Sequence, residues 1–158
     1  MFITPHVLVG ASIAVSTGSY PLAIIGGVAS HFLLDTIPHT DWGTWHSYKK
    51  DFKVMKLDYI SLTIDIIFAL AVFIWLVAIK KFQFWLIFTA FASSSILDIY
   101  ALDYVFNLPF KFRNLPVLKS IYLFLNKTHF KLKIEYWPLG LLTQILVIAG
   151  GIWFLQGY

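Results

Sequence analysis

The chain has 158 residues, of which 59% are hydrophobic and 13% are charged, with no cysteine and a net charge of +4. Soluble domains are about 45–50% apolar and about 25% charged, so the composition predicts a single membrane-embedded helical domain over residues 1–158 and excludes disulfides and thiolate metal sites. Basic loops on the cytoplasmic side of a membrane explain the positive charge, so we expect no nucleic-acid partner.

Two short apolar segments come first along the chain. Residues 5–17 and 21–37 each begin with a proline, which is favoured in the first helical turn, and Thr4 is a predicted N-cap. The glycines and other small residues of the second segment permit close helix approach in lipid. We therefore predict a helical hairpin that packs inside the bundle, with its turn at residues 18–20.

The second helix ends in a cluster of imidazoles and carboxylates. His31 and Asp35 are four residues apart and share one helix face, while Pro38 breaks the helix before His39 and Asp41. Ionisable residues inside a membrane are costly and are usually functional. Because His and Asp are ligands for zinc and related divalent metals, we predict that this cluster binds metal.

Three longer apolar segments follow, at residues 57–79, 82–106 and 136–155, and each is long enough to cross a hydrocarbon core of about 30 Å. The connection over residues 107–135 is basic, and residues 115–125 within it are predicted to form an interfacial helix. The fold class predicted from sequence is therefore all-α. It is a polytopic membrane helical bundle with about five membrane-embedded helices plus an interfacial helix.

The basic residues fall on one side of this predicted topology. Five crossings place the N-terminus and the loops 38–56 and 107–135 together, and only Lys80 and Lys81 on the opposite side. The positive-inside rule makes the first side cytoplasmic, so we expect a multi-pass protein of the inner membrane with its N-terminus in the cytoplasm. The basic loops are expected to contact anionic lipid headgroups. Their residues are Lys49, Lys50, Lys53, Lys56, Lys111, Arg113, Lys119, Lys127, Lys131 and Lys133.

The same side collects most of the residues that could build a site. His6 begins the first helix there, Asp65 lies two turns into the third, and Asp98 lies near the end of the fourth. For the loop residues His46 and His129, a role in the site and a plain loop position both stay open. The predicted metal ligands are His6, His31, Asp35, His39 and Asp98. The predicted catalytic residues are Asp65 and Asp41, either of which could act as a general base.

The His31-x3-Asp35-x3-His39 spacing resembles the zinc-ligand helix of the zinc-dependent phospholipase C family. That resemblance implies metal ions held by His and Asp in an all-helical fold. The chain departs from the family pattern because Met1 stands where the family has a Trp ligand, and because the later His-x3-Glu pair has no counterpart. We therefore expect one or two metal ions rather than three.

As a whole, the chain resembles small bacterial and archaeal membrane-bound metal-dependent hydrolases of the LexA-binding, inner-membrane-associated type. The resemblance covers about residues 1–50. It rests on the Thr-Pro-His start at residues 4–6, the glycine-rich hairpin, the His/Asp helix, and the Thr-Trp-His-Ser element at residues 44–47. It implies a hydrolase that uses a divalent metal ion.

The leading hypothesis is a membrane-embedded metal-dependent hydrolase that acts on a phosphoester or lipid substrate at the cytoplasmic headgroup layer. Its cofactor would be a divalent metal, with zinc favoured, and its partners would be membrane lipids. The alternative is a non-enzymatic metal-binding or structural membrane protein. An ion or proton pathway is less favoured, because the helix halves away from the cytoplasm offer few polar residues, among which we count Gln144.

Overall fold

A computed structural model of the protein describes residues 1–40, 56–98, 102–103, 114–117, 119–120, 124 and 136–158. The described residues form five α-helices, which confirms the all-α prediction. After the third helix the chain continues as a short π-helix, Trp75–Ile79. The α-helices are α1 (Ile3–Thr17), α2 (Tyr20–Asp35), α3 (Lys56–Ile74), α4 (Phe84–Ser95) and α5 (Trp137–Gln156).

The predicted hairpin is formed by α1 and α2. Gly18 ends α1 in the left-handed conformation, with φ 60°, and its N–H donates to the Ala14 carbonyl. Glycine is favoured at this position because it has no Cβ to clash. Ser19 then caps α2, and its side chain accepts the Leu22 N–H. The turn therefore lies where the sequence predicts it.

The first turn of α1 is capped from another helix. The predicted N-cap, Thr4, lies inside the helix, and Phe2 at the N-cap position makes no side-chain cap. Instead, Asp65 of α3 accepts the Ile3 N–H at Oδ2 (2.5 Å) and the Thr4 N–H at Oδ1 (3.1 Å). The Thr4 hydroxyl also donates to Oδ1 at 2.6 Å. A local capping pattern misses this contact because the acceptor is 61 residues away.

Two of the described helical segments, Asp58–Ile79 and Trp137–Gln156, are long and apolar enough to cross a membrane. The helices α1, α2 and α4 have 15, 16 and 12 residues. At 1.5 Å per residue they are about 18–24 Å long, which is less than the roughly 30 Å hydrocarbon core. In the described part of the chain, two helical segments are therefore candidate spans, and the prediction of about five membrane-embedded helices stays a prediction.

The predicted interfacial helix over residues 115–125 is described only in part. Pro116, Val117, Lys119 and Ser120 are helical. The Lys119 N–H donates to the Leu115 carbonyl at 2.9 Å, the spacing of one α-helical turn. The position of this segment at a membrane surface stays a prediction.

Helix α1 lies at the centre of the bundle and packs against each of the other four helices. The helices α2 and α4 pack against α1 and against each other. Their close approach depends on Gly27, where a Cβ would overlap the Ser93 hydroxyl of α4. That hydroxyl donates to the Ala23 carbonyl of α2 at 3.0 Å. Small residues therefore allow the backbone of α2 to contact the Ser93 side chain of α4 directly, and this is the close helix approach that the sequence predicts.

Gly27→Ala is expected to destabilise the bundle, while Gly150→Ala is not. The new methyl group at position 27 would displace the Ser93 hydroxyl and press on the Ser94 backbone, a type of overpacking that costs about 1–3 kcal/mol. At Gly150 nothing lies within 4 Å of the added Cβ, and alanine is the better helix former. Thermal unfolding in detergent, followed by circular dichroism, compares the two. Equal midpoints for both variants would contradict the packing of α2 on α4.

Candidate metal centre

Three histidines surround one carboxylate where α1 begins and α2 ends. His6 Nε2 lies 3.4 Å from Asp35 Oδ1, and His31 Nε2 lies 3.4 Å from Asp35 Oδ2. His39 Nε2 is 3.8 Å from Asp35 Oδ1. All four residues are buried. Asp35 is therefore the centre of the cluster, and each carboxylate oxygen faces at least one imidazole.

The local structure explains how these side chains meet. His31 and Asp35 lie one turn apart on α2, so the helix alone places them on one face. His6 projects from the first turns of α1, and its ring stacks on that of His31 with centroids 4.0 Å apart and an angle of 19°. His39 follows the end of α2, where Pro38 prevents the helix from continuing. Two helices and one short segment thus supply the site.

The Nδ1 atoms of His31 and His39 are both held by backbone carbonyls. His31 Nδ1 lies 2.8 Å from the Ser94 oxygen, and His39 Nδ1 lies 2.7 Å from the Ile37 oxygen. A carbonyl oxygen only accepts hydrogen bonds, so we assign the hydrogen of each ring to Nδ1. In the neutral ring, Nε2 then directs a lone pair at Asp35. Metal-ligating histidines are usually oriented in this way, with the second nitrogen on a carbonyl or a carboxylate.

His6 is fully buried, and neither of its ring nitrogens makes a hydrogen bond to any described residue. Its 3.4 Å approach to Asp35 does not have hydrogen-bond geometry. Burial, followed by the neighbouring His31, lowers the pKa of His6 to about 3. His6 lies outside α3 and α5, the two helices long enough to span a membrane. A buried neutral imidazole with unsatisfied nitrogens is costly unless it ligates something, and the neutral form is the one that binds metal.

The α-ammonium group of Met1 also lies in the cluster. It donates to Asp35 Oδ1 at 2.8 Å and is 2.7 Å from His39 Nε2. Because an ammonium group is only a donor, His39 Nε2 is the acceptor, which agrees with the tautomer assigned above. Asp35 and His39 can therefore share one cationic partner.

The geometry of the cluster fits a small divalent cation. His6, His31 and Asp35 each offer one ligand atom, and these atoms lie within 4.8 Å of one another. Ligands bound at about 2.0–2.1 Å to a tetrahedral ion are about 3.3–3.4 Å apart. His6 Nε2 is 3.4 Å from Asp35 Oδ1 and His31 Nε2 is 3.4 Å from Asp35 Oδ2, so each imidazole has this spacing from one oxygen of the carboxylate, and the two oxygens differ. Three protein ligands plus an open position are the pattern of catalytic zinc sites, so these residues fit a metal of that type.

The other predicted site residues have different positions. Asp98 Oδ2 is 3.9 Å from His31 Nδ1, at the ring edge that faces away from Asp35, so Asp98 is not part of the His6–His31–Asp35 group. Asp65 contacts Ile3 and Thr4 at the start of α1. Asp41, His46 and His129 lie outside the described residues. The catalytic roles predicted for Asp65 and Asp41 stay predictions.

Helix α5 contributes polar contacts to the site that the sequence does not predict. Gln144, counted from sequence among the distant polar residues, is buried and accepts the Phe2 N–H at 3.0 Å. Its amide nitrogen donates to the Thr40 carbonyl at 2.6 Å, and the neighbouring Thr143 hydroxyl donates to the Pro38 carbonyl at 2.5 Å. The signal that could have found them is two adjacent polar residues within an otherwise apolar helix.

No family model, curated protein or solved structure matches this chain. The resemblance of residues 1–50 to membrane-bound metal-dependent hydrolases therefore stays a prediction.

Proposed function

We propose that this protein is a membrane-embedded metal-dependent hydrolase that acts on a phosphoester or lipid substrate at the cytoplasmic headgroup layer. The observation that carries the proposal is the buried His6–His31–Asp35 group, with ligand atoms within 4.8 Å of one another. His39 Nε2 is 3.8 Å from Asp35 and 2.7 Å from the Met1 ammonium group, so His39 would supply a further ligand where a metal ion displaces that group. Buried clusters of this composition are rare without a function, because each group loses its hydration.

Zinc is the metal we favour for this site. It accepts imidazole and carboxylate ligands in tetrahedral geometry, and each imidazole lies 3.4 Å from one Asp35 oxygen, the separation of two ligands in such a site. The chain has no cysteine, so softer metals that prefer thiolates are disfavoured. A bound zinc ion would lower the pKa of a coordinated water and polarise a phosphoryl or acyl oxygen.

The membrane location is supported by what α3 and α5 leave exposed. Only 22% of the most apolar 18-residue window of each candidate span is buried in the bundle, whereas the core helix of a soluble protein is mostly buried. Contiguous apolar surface of this size is uncommon on soluble monomers. The exposed side chains include Ile60, Ile64, Ile67, Phe68, Leu70, Ile74, Leu142, Ile145, Leu146 and Trp153. In our proposal α3 and α5 cross the bilayer, and the shorter α1, α2 and α4 pack against them within it.

The substrate class follows from the position of the site and from charge. The cluster lies where α1 begins and α2 ends, and Lys49, Lys50 and Lys53 follow the end of α2 in the sequence. The positive-inside rule places this end of the bundle on the cytoplasmic side. Basic residues there would attract anionic headgroups and phosphoesters.

A second candidate function is a non-enzymatic metal-binding or structural role. The contact between the Met1 ammonium group and Asp35, at 2.8 Å, favours a purely structural role, because this ion pair neutralises the carboxylate without a metal. The unsatisfied nitrogens of His6 weigh against a purely structural role and agree with non-enzymatic metal binding, since the ion pair leaves them without a hydrogen bond.

Metal removal is expected to abolish hydrolysis. The detergent-purified protein should contain about one or two zinc ions per chain and should hydrolyse phospholipid in mixed micelles. A metal chelator should lower the rate by about a hundredfold or more, because the metal contributes several kcal/mol of transition-state stabilisation. Added zinc should restore the rate. Elemental analysis and a phosphate- or fatty-acid-release assay provide the two measurements.

Two variants control this experiment. His31→Ala should lose both metal and activity. Ser12→Ala should keep both, because the Ser12 hydroxyl donates to the Leu8 carbonyl of its own helix and contacts no member of the cluster. Metal bound by the wild-type chain without hydrolysis of any phosphoester or lipid would favour the non-enzymatic role. Negligible metal in the wild type and in both variants would contradict the hydrolase and any metal-binding role, and would leave only the structural role.

A further inference from the structure

The segment Pro38–Thr40, here called the His39 arm, is held on the first two turns of α5. The Thr143 hydroxyl donates to the Pro38 carbonyl, and the Thr40 hydroxyl donates to the Trp137 carbonyl at 2.8 Å. A Cβ at Gly140 would overlap backbone atoms of the arm, so the arm lies directly on the backbone of α5. This helix therefore sets the position of the residue that follows Pro38, which is His39.

Gln144 joins this arm to the other end of the site. Its Oε1 accepts the Phe2 N–H at 3.0 Å, and its Nε2 donates to the Thr40 carbonyl at 2.6 Å. The amide orientation is assigned from these partners, because an N–H needs an acceptor and a carbonyl needs a donor. The side chain is 1% exposed. One buried amide thus bridges two chain segments that are 38 residues apart in sequence.

We infer that Gln144 is a positioning residue for the metal centre. Its side chain holds His6 and His39 in place around Asp35. The inference rests on the proposed metal site. His31 and Asp35 need no such help, because both lie on α2 and the helix fixes their spacing. His6 lies one turn after Phe2, and His39 directly precedes Thr40, so each of the two remaining imidazoles lies within one turn of a residue that Gln144 holds.

The side-chain amide of glutamine suits this role because it carries both a hydrogen-bond donor and an acceptor. Phe2 offers a donor and Thr40 offers an acceptor, and a primary amide is a side chain that satisfies both at once. An apolar side chain of similar length would leave the amide of Phe2 and the carbonyl of Thr40 without this partner. Buried polar groups left in that state favour a shifted backbone. A shift of either segment moves an imidazole relative to Asp35.

The test is the zinc affinity of Gln144→Met, which keeps the length of the side chain and removes both hydrogen-bonding groups. Loss of a residue that orients metal ligands typically weakens metal binding by about 10–100-fold, and we expect a loss in that range. The visible spectrum of the Co²⁺-loaded protein should also change, because it depends on the number and arrangement of the ligands. A merely destabilising substitution would not alter that spectrum.

The matched control is Leu155→Ala. Leu155 is fully buried in the same helix, but it packs with Leu8 and Ile87 about 16 Å along the axis from Gln144. It should lower the unfolding midpoint of the metal-free protein and leave zinc affinity and the Co²⁺ spectrum unchanged. A His39→Ala background provides the second control. If Gln144 acts through His39, the losses in affinity should be less than additive in the double variant.

The outcomes separate this inference from the proposed function. Wild-type affinity in Gln144→Met, or a loss no greater than that in Leu155→Ala, would overturn the role of Gln144 while leaving the metal site intact. Fully additive losses with His39→Ala and an unchanged Co²⁺ spectrum would also overturn it. Failure of the wild-type protein to bind zinc or Co²⁺ would overturn the proposed site and this inference together.

Discussion

Asp35→Asn is expected to lower zinc affinity by more than about 100-fold, which is beyond the range seen when only an orienting residue is lost. Among the residues that the structure describes, Asp35 is the one whose carboxylate faces His6, His31 and His39 together, at 3.4, 3.4 and 3.8 Å. Asparagine keeps the size of the side chain but loses its charge and one of its acceptor oxygens. Isothermal titration of zinc into the metal-free protein measures the change.

The same substitution should destabilise the metal-free protein. The Met1 ammonium group is buried and lies 2.8 Å from Asp35 Oδ1. Removal of one partner of a buried ion pair costs about 3–5 kcal/mol, because the other charge loses its counter-ion. Chemical unfolding in detergent should show a loss of this size, and the zinc titration should show the loss of affinity in the fraction that remains folded.

Asp98→Asn is the matched comparison for Asp35→Asn. Asp98 is 3.9 Å from His31 Nδ1, and its side chain is 17% exposed, so its substitution should change zinc affinity by no more than about tenfold. If Asp98→Asn and Asp35→Asn weaken zinc binding equally, Asp98 is a ligand, as the sequence predicts. If neither weakens it, the metal lies elsewhere and the cluster around Asp35 is structural.

The part of the site that lies on α2 is predictable from sequence, because the number of residues between two side chains of a helix determines whether they share a face. His31 and Asp35 are four residues apart, and any helix places such a pair on one face. The break at Pro38 is equally local. To place His6 beside this pair, the hairpin of α1 and α2 must also be predicted. The turn of the hairpin is predictable at Gly18, because the left-handed position that ends α1 favours glycine.

The contacts that complete the site are long-range, and no local pattern encodes them. Asp65 caps α1 across 61 residues, and Gln144 reaches Phe2 across 142. A sequence pattern indicates only that such residues are polar in apolar helices, which is why Asp65 is predicted to be a catalytic base and Gln144 is counted among the distant polar residues. The number of spanning helices is hard to predict for a similar reason. An apolar segment packed inside a bundle has the same composition as one that faces lipid.

Asp65→Asn is expected to loosen the start of α1. The carboxylate of Asp65 accepts three hydrogen bonds, from the Ile3 N–H, the Thr4 N–H and the Thr4 hydroxyl. Hydrogen bonds to a charged group contribute about 1.5–3 kcal/mol each, and the asparagine amide turns one acceptor into a donor that faces other donors. We expect a loss of about 2–4 kcal/mol in the free energy of unfolding, measured by chemical denaturation.

The consequence for activity distinguishes a capping role from catalysis by Asp65. If Asp65 only holds the first turn of α1, Asp65→Asn should reduce zinc affinity modestly, through His6 two residues beyond Thr4, and turnover of the zinc-saturated enzyme should stay within about tenfold of wild type. A general base contributes about 10²–10⁴ to the rate. A fall in that range at saturating zinc, without a change in stability, would establish Asp65 as the base.

Thr4→Val is the matched variant, because it removes the hydroxyl contact to Asp65 and leaves the carboxylate in place. A stability loss in both variants, with turnover preserved in both, is the result expected from the contacts that Asp65 makes.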